Sequence, residues 1–233
     1  VRIWTAVLFL VTSCGGEFAA VETDAGMDAA VGGFGGADAG PSGGSGGTAP
    51  ATPCHPSGLV DGFDGSVLNG LWTPQGDTQS ISVSGGQLHF TPNPANPAWA
   101  GVVSAAYDLD ECAVWTRVPV LYSNATTGFT YFQLVGASTT LAFEARGGNL
   151  ETKDGSNQGS TSYDPVAHRW WRIRESGSTV YFEASPDGIV WKELQSVPST
   201  AEIKSMKVGL GLVPGSAPTA PLETQFDDLD ATP

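Results

Sequence analysis

Along residues 169–194, RWWRIRESGSTVYFEASPDGIVWKEL, apolar and polar positions alternate with a period of two. That period predicts antiparallel strands half-buried on one face, joined by turns centred on Ser176-Gly177 and Pro186-Asp187-Gly188. Trp171 and Ile173 share a face with Val180, Phe182 and Ala184. Trp170, Arg172 and Arg174 share the other with Thr179, Tyr181 and Glu183. A two-residue Ser176-Gly177 loop sets Trp171 opposite Phe182 and Ile173 opposite Val180. It also sets Arg172 beside Tyr181 and Trp170 beside Glu183.

The same reading predicts strands at 59–63, 79–83, 87–91, 101–107, 112–120, 129–135, 140–146, 149–153, 206–213 and 222–229. Within the first stretch it gives 169–175, 178–184 and 189–194. Turn residues punctuate them: Ser84-Gly85-Gly86, Gly147-Gly148-Asn149 and Asp154-Gly155. Helical hints are short, near 66–71 and 200–204. A dozen short strands without helices predict an all-β fold, a two-sheet antiparallel β-sandwich of jelly-roll type. No internal repeat supports a propeller.

Composition changes the picture at the N-terminal end. Residues 15–53 are Gly, Ala, Asp, Ser and Pro with almost no bulky apolar side chains. Such a segment buries too little surface to offset its ordering entropy and reads as a disordered tether. A flexible chain of that length spans on the order of 35 Å. The domain is then residues 54–233. Before the tether, the apolar run of residues 3–11 has the length of a signal-peptide core, too short to span a bilayer. Val11-Thr12-Ser13-Cys14 resembles a bacterial lipobox. The resemblance implies export, a lipid on Cys14 and a membrane anchor. Gly15 lacks the Asp that resembles an inner-membrane retention signal. Outer membrane is therefore the expectation, on the periplasmic or cell-surface side. The other reading is an ordinary signal peptide with Cys14 there by chance.

Charge narrows the partners. The net charge is −14 over 233 residues, and no Lys or Arg lies between Arg2 and Arg117. Such a chain has no electrostatic footprint for nucleic acid. With Cys14 lipidated, Cys54 and Cys112 remain, an even pair that reads as a disulfide in an oxidising compartment. Its closed loop would contribute ~3–4 kcal/mol in the chain-entropy model. A His/Cys metal site is not supported, because His55, His89 and His168 are scattered.

A resemblance follows from longer segments. Residues 61–72, DGFDGSVLNGLW, are similar to the opening of concanavalin A-like lectin/glucanase domains. Gly85-Gly86-Gln87-Leu88 resembles the hairpin that follows there. The stretch from Arg169 to Trp191 resembles laminin-G-like members, and Phe226-Asp227-Asp228-Leu229 their closing strand. The resemblance covers about residues 58–230 and implies pairing of the first and last strands. It also implies a candidate structural calcium site built from Asp64 with Asp227 or Asp228; no other cofactor is expected.

Glycosidases on this fold carry E-x-D-x-E or E-x-D-x-x-E on one strand, so that alternation aims both carboxylates at one sugar. This chain has no such run. Glu144 and Glu183 sit singly on strands, read as facing solvent, and no Ser/His/Asp set is suggested. Ser185-Pro186-Asp187-Gly188 with Trp191 looks like a shortened Asp-box, a structural hairpin. Trp72, Trp115, Trp171 and Trp191 read as packing residues. Trp99 and Trp170 are candidates to stack on sugar rings. Arg172, Tyr181, Asn93 and Asn96 are candidate hydrogen-bonding partners. The expectation is a lipid-anchored, non-catalytic, lectin-like module binding a glycan. The alternatives are a protein-interaction lipoprotein and a glycoside hydrolase with an unrecognised carboxylate pair.

Overall fold

A computed structural model describes residues 54, 56, 58–122, 127–155, 157–215 and 222–233. The expected signal peptide, Cys14, the tether 15–53 and His55 lie outside the described residues. In chain order the strands are β1 Thr73–Gly76, β2 Ile81–Ser84, β3 Gln87–Phe90, β4 Ala100–Tyr107, β5 Ala113–Val120, β6 Phe129–Val135 and β7 Thr140–Arg146. They continue with β8 Asn149–Asp154, β9 Asn157–Ser162, β10 Trp170–Ser176, β11 Thr179–Ser185, β12 Lys192–Pro198, β13 Met206–Val213 and β14 Thr224–Thr232. The helical segments among the described residues are the 3₁₀ turns Thr78–Ser80 and Ala201–Ser205.

Two antiparallel sheets form a jelly-roll sandwich. The front sheet runs β1-β4-β13-β6 and is continued by β7-β8-β9. The back sheet runs β12-β11-β10-β5-β14-β3-β2. Alternation explains the core between them. Phe132, Leu134, Phe143 and Leu210 point inward from the front sheet, and Trp171, Ile173, Phe182 and Phe226 from the back. Phe143 joins the layers, with ring centroids 5.6 Å from both Trp171 and Phe182. Burial of these rings is the dominant stabilising term. Cys54 and Cys112 form a disulfide, with Cα atoms 5.0 Å apart, that ties the start of the domain to the strand entering β5.

The faces of the 169–194 stretch are as alternation predicts, but its register is not. Gly177 and Ser178, not Ser176 and Gly177, form the hairpin loop; both have positive φ, 58° and 63°, as a type I′ turn requires. The turn therefore moves by one residue and the pairing by two. Trp171 lies opposite Ala184, Ile173 opposite Phe182, Arg172 opposite Glu183 and Trp170 opposite Ser185.

Other differences have local causes. β12 begins later than residue 189, because the Asp187 carboxylate accepts the N–H groups of both Ile189 and Val190 and prolongs the turn. Ile189 is 80% exposed as a result. β1 and β9 have no apolar alternation; β1 is exposed throughout and β9 is wholly polar. Residues 59–63 form no strand. The first and last segments meet through one bridge, Asp61 with Leu229, rather than through Phe63-Asp64 and Phe226-Asp227.

Candidate functional site

On the outer face of the front sheet, β6 presents Phe129, Tyr131 and Gln133, while Thr130, Phe132 and Leu134 face inward. Opposite Tyr131 on β13 is Gly211, and opposite that glycine on β4 is Gly101. A Cβ on Gly211 would lie 2.3 Å from the Tyr131 hydroxyl, and one on Gly101 would lie 2.2 Å from it. Tyr131 thus lies across two strands on a floor with no side chains, and it is 7% exposed. Burial pushes its phenol well above the ordinary tyrosine value.

Trp99, just before β4, continues this row. A Cβ on Gly101 would be 3.4 Å from the indole, and one on Gly76 would be 2.9 Å from it. The Asp77 N–H donates to the Trp99 carbonyl at 2.8 Å and fixes the loop to the end of β1. The indole is 44% exposed. With Asn93, Asn96, Gly76, Asp77, Gln79 and Ala98 it lines a cavity of about 420 Å³. The Asn93 side-chain oxygen accepts from the Ala95 N–H at 2.9 Å, leaving its amide donors for other partners.

At its other end the row meets charge. The Phe129 ring centroid is 6.2 Å from that of Tyr131. The Arg146 guanidinium lies 4.3 Å above Phe129 and the Lys153 ammonium 5.9 Å from it. Glu144 accepts from Arg146 at 2.8 Å and also from Lys153. Lys153 is 3.6 Å from Glu151 as well. Glu144 and Glu151 are directly opposite across β7 and β8, so both carboxylates project on this face, with Lys153 against both and Arg146 against Glu144. Sequence reading left Glu144 single, because its neighbour comes from another strand. The signal available was the Gly147-Gly148 turn, which folds β8 back onto β7.

The remaining expected residues fall on the outer face of the back sheet. Trp170 is half-buried under Gly188, where a Cβ would lie 3.2 Å from the ring, and Arg117 is 5.9 Å from its centroid. Arg172 covers Trp191 at 4.1 Å, and Arg174 covers Tyr181 at 4.2 Å. Both arginines bind Glu183, Arg172 at 2.7 Å and Arg174 at 3.2 Å. Burial pushes the Glu183 carboxyl up, but the hydrogen bonds and charges of Arg174 and Arg172 outweigh it and hold it below the ordinary value. Glu183 is thus buried, not solvent-facing as read from the sequence. Trp115 and Trp191 also lie on this outer side, half-buried, rather than in the core. The Ser185–Asp187 hairpin is structural: the Ser185 hydroxyl and the Asp187 carboxylate hold the turn amides.

The expected sugar-contact residues are therefore divided. Trp99, Asn93 and Asn96 stand together on the front side, and Trp170, Arg172 and Tyr181 on the outer face of the back sheet. The three aspartates expected at a calcium ion are not gathered either. Arg117 takes Asp227 and Asp228 as partners, the latter at 3.2 Å, while Asp64 lies beside the Gly86 turn. No cluster of three or more His, Cys, Asp or Glu placed to hold a metal ion occurs among the described residues.

No protein-family model matches the chain, and no curated protein matches it. Solved structures do. A glycosyl hydrolase family protein from Mycobacterium fortuitum superposes with a TM-score of 0.58 at 16% identity, covering 74% of this chain and 98% of its own. The laminarinase from Flavobacterium sp. UMI-01 gives 0.57 at 10% identity, covering 74% and 96%. A glycosyl hydrolases family 16 protein from Mycobacterium smegmatis gives 0.54 at 14% identity, covering 74% and 98%. The chain thus shares the all-β jelly-roll fold of these structures. This overturns the expectation that the chain is not an enzyme. That expectation rested on a missing one-strand carboxylate run, whereas the structures sharing its fold are mostly named as glycoside hydrolases.

Proposed function

We propose that this protein binds a polysaccharide along the outer face of its front sheet. The observation that carries the reading is the row Trp99–Tyr131–Phe129, laid on Gly76, Gly101 and Gly211 and ending at Glu144 and Glu151. The open Trp99 indole over a glycine floor, backed by the packed Tyr131, gives a surface for sugar C–H faces, and the cavity beside Trp99 offers amide donors and acceptors for hydroxyls. Laminarinase among the structural neighbours supports a neutral glucan as the first ligand to try.

Hydrolysis is favoured by a specific observation, the directly opposed Glu144 and Glu151. Lys153 contacts both carboxylates, 3.6 Å from Glu151, which makes the two carboxyl groups near neighbours. Retaining glycosidases hold their two carboxyls about 5–5.5 Å apart, one protonating the leaving oxygen and the other attacking the anomeric carbon. Titration calorimetry with soluble β-glucans, alongside reducing-sugar release, tests both. Trp99→Ala is expected to weaken binding by about tenfold or more. Glu144→Gln and Glu151→Gln are expected to abolish release while leaving binding in place. No heat with any glucan, or release that survives both carboxamides, overturns the respective reading.

Export and anchoring through Cys14 belong to the same proposal, supported by the 3–11 apolar run, the Val11–Cys14 pattern and a disulfide suited to an oxidising compartment. The outer membrane, as expected from Gly15, is the proposed location. Labelling of cells with an alkynyl fatty acid is expected to mark the wild-type chain and not Cys14→Ser.

A further inference from the structure

On the far edge of the back sheet, two residues of one hairpin and a third distant in sequence form a chain of hydrogen bonds. The Ser84 hydroxyl lies 3.2 Å from His89 Nε2, and His89 Nδ1 lies 3.1 Å from Glu223 Oε1. Gln225 Nε2 donates to the same Glu223 oxygen at 2.7 Å and fixes it. β2 and β3 place Ser84 and His89 on one outward face, and the segment entering β14 brings Glu223 beneath the imidazole. We propose that Ser84, His89 and Glu223 form a second site, a serine acyl-transfer centre that cleaves small neutral O-acyl esters.

The roles follow from the atoms. An ionised Glu223 accepts a hydrogen bond from Nδ1–H, which assigns the tautomer and leaves the Nε2 lone pair facing the Ser84 hydroxyl. Ser84 Oγ attacks the ester carbonyl carbon as its proton passes to Nε2. The resulting imidazolium is held on one side by Glu223 and on the other by the Ser84 carbonyl oxygen, 3.1 Å from Nε2. That proton then goes to the departing alkoxide, which leaves as an alcohol. Water, deprotonated by the same imidazole, cleaves the acyl-serine and releases the carboxylic acid. Gly85 and Gly86, the turn that follows Ser84 with φ of 59° and 76°, carry no side chains of their own to block an approaching ester.

The surroundings limit the substrate. Nothing lies within 4 Å of where a Gly85 Cβ would stand, so the turn is open and has no apolar wall for a long acyl chain. The acidic neighbours, Asp64 near Gly86 and Glu223 itself, disfavour anionic esters. Acetyl-sized groups on a neutral alcohol fit both limits.

Hydrolysis of p-nitrophenyl acetate by the full chain, with peptide mapping after a fluorophosphonate probe, tests this site independently of glycan binding. The expected result is an adduct on Ser84 and a rate that falls ~10²-fold in Ser84→Ala and in His89→Ala. Added imidazole is expected to restore part of the His89→Ala rate, which a structural role would not produce. Glu223→Gln is expected to lower the rate with its pH profile displaced. Because the hairpin is at the sheet edge, unchanged near-ultraviolet circular dichroism is the folding control. In Ser84→Cys, alkylation by iodoacetamide is expected to be faster than in Ser84→Cys with His89→Ala. An adduct elsewhere, a wild-type rate in Ser84→Ala or equal alkylation rates would overturn the proposal.

Discussion

The two outer faces of this sandwich use the same residue types to opposite effect. On the back, three rings each have a cation: Arg172 on Trp191, Arg174 on Tyr181 and Arg117 near Trp170. Those cations are in turn held by Glu183, Asp227 and Asp228. Rings and charges there satisfy one another, and the face stabilises the sheet. On the front, Phe129 is likewise covered by Arg146, but β13 offers Gly209 and Gly211 where the back sheet has side chains, so Tyr131 falls flat across it and Trp99 stays open beside a cavity. An aromatic ring becomes a ligand platform because of what lies opposite it, not because of its own identity.

The comparison breaks most sharply where the back face is unpaired. Glu183→Ala strands two half-buried guanidinium groups and is expected to cost about 3 kcal/mol, the lower edge of the range for a broken buried pair. Chemical denaturation should show this as a shifted midpoint with an unchanged slope. On the front, Gly211→Val drives a branched side chain into Tyr131. It should cost about 1–3 kcal/mol and remove glucan binding together.

The faces should also fail at opposite ends of the pH range. Glu183 has a folded pKa below its ordinary value of 4.5, so its contribution is present above that value and lost as pH falls through the folded pKa. Tyr131 has a folded pKa above its ordinary 10.0, so its contribution is intact below pH 10.0 and is lost as pH rises toward the folded value. Thermal melts are expected to show a shallower acid loss in Glu183→Gln and a shallower alkaline loss in Tyr131→Phe. The smallest expected change in stability is the most telling for function. Trp99→Ala should melt near the wild type yet bind about tenfold more weakly, whereas Trp170→Ala should leave glucan binding unchanged. Equal binding losses in the two variants would erase the distinction between the faces.

Much of the strand pattern was legible because alternation is a local property. Phe182 and Ala184 were assigned to the core with Trp171, and they are there. The Gly177–Ser178 loop was missed by one residue, since Ser178 takes a positive φ that favours glycine and only the partner strand enforces it. Asn93, Asn96 and Trp99 were legible as one loop. Glu151 was not legible as the neighbour of Glu144, nor Glu223 as the partner of His89, because cross-strand pairs leave no mark on local spacing.

By itself the sequence determined an all-β chain, the face of each well-alternating strand and a Cys54–Cys112 pair able to close. Periodicity and composition act within a few residues, and turn chemistry acts within four. Only the tertiary structure decided which strands became neighbours. It set Tyr131 on glycines, gave Trp170 a cover and brought Ser84, His89 and Glu223 together. Those outcomes depend on sheet order and register, which are fixed by burying one shared core rather than by any single segment.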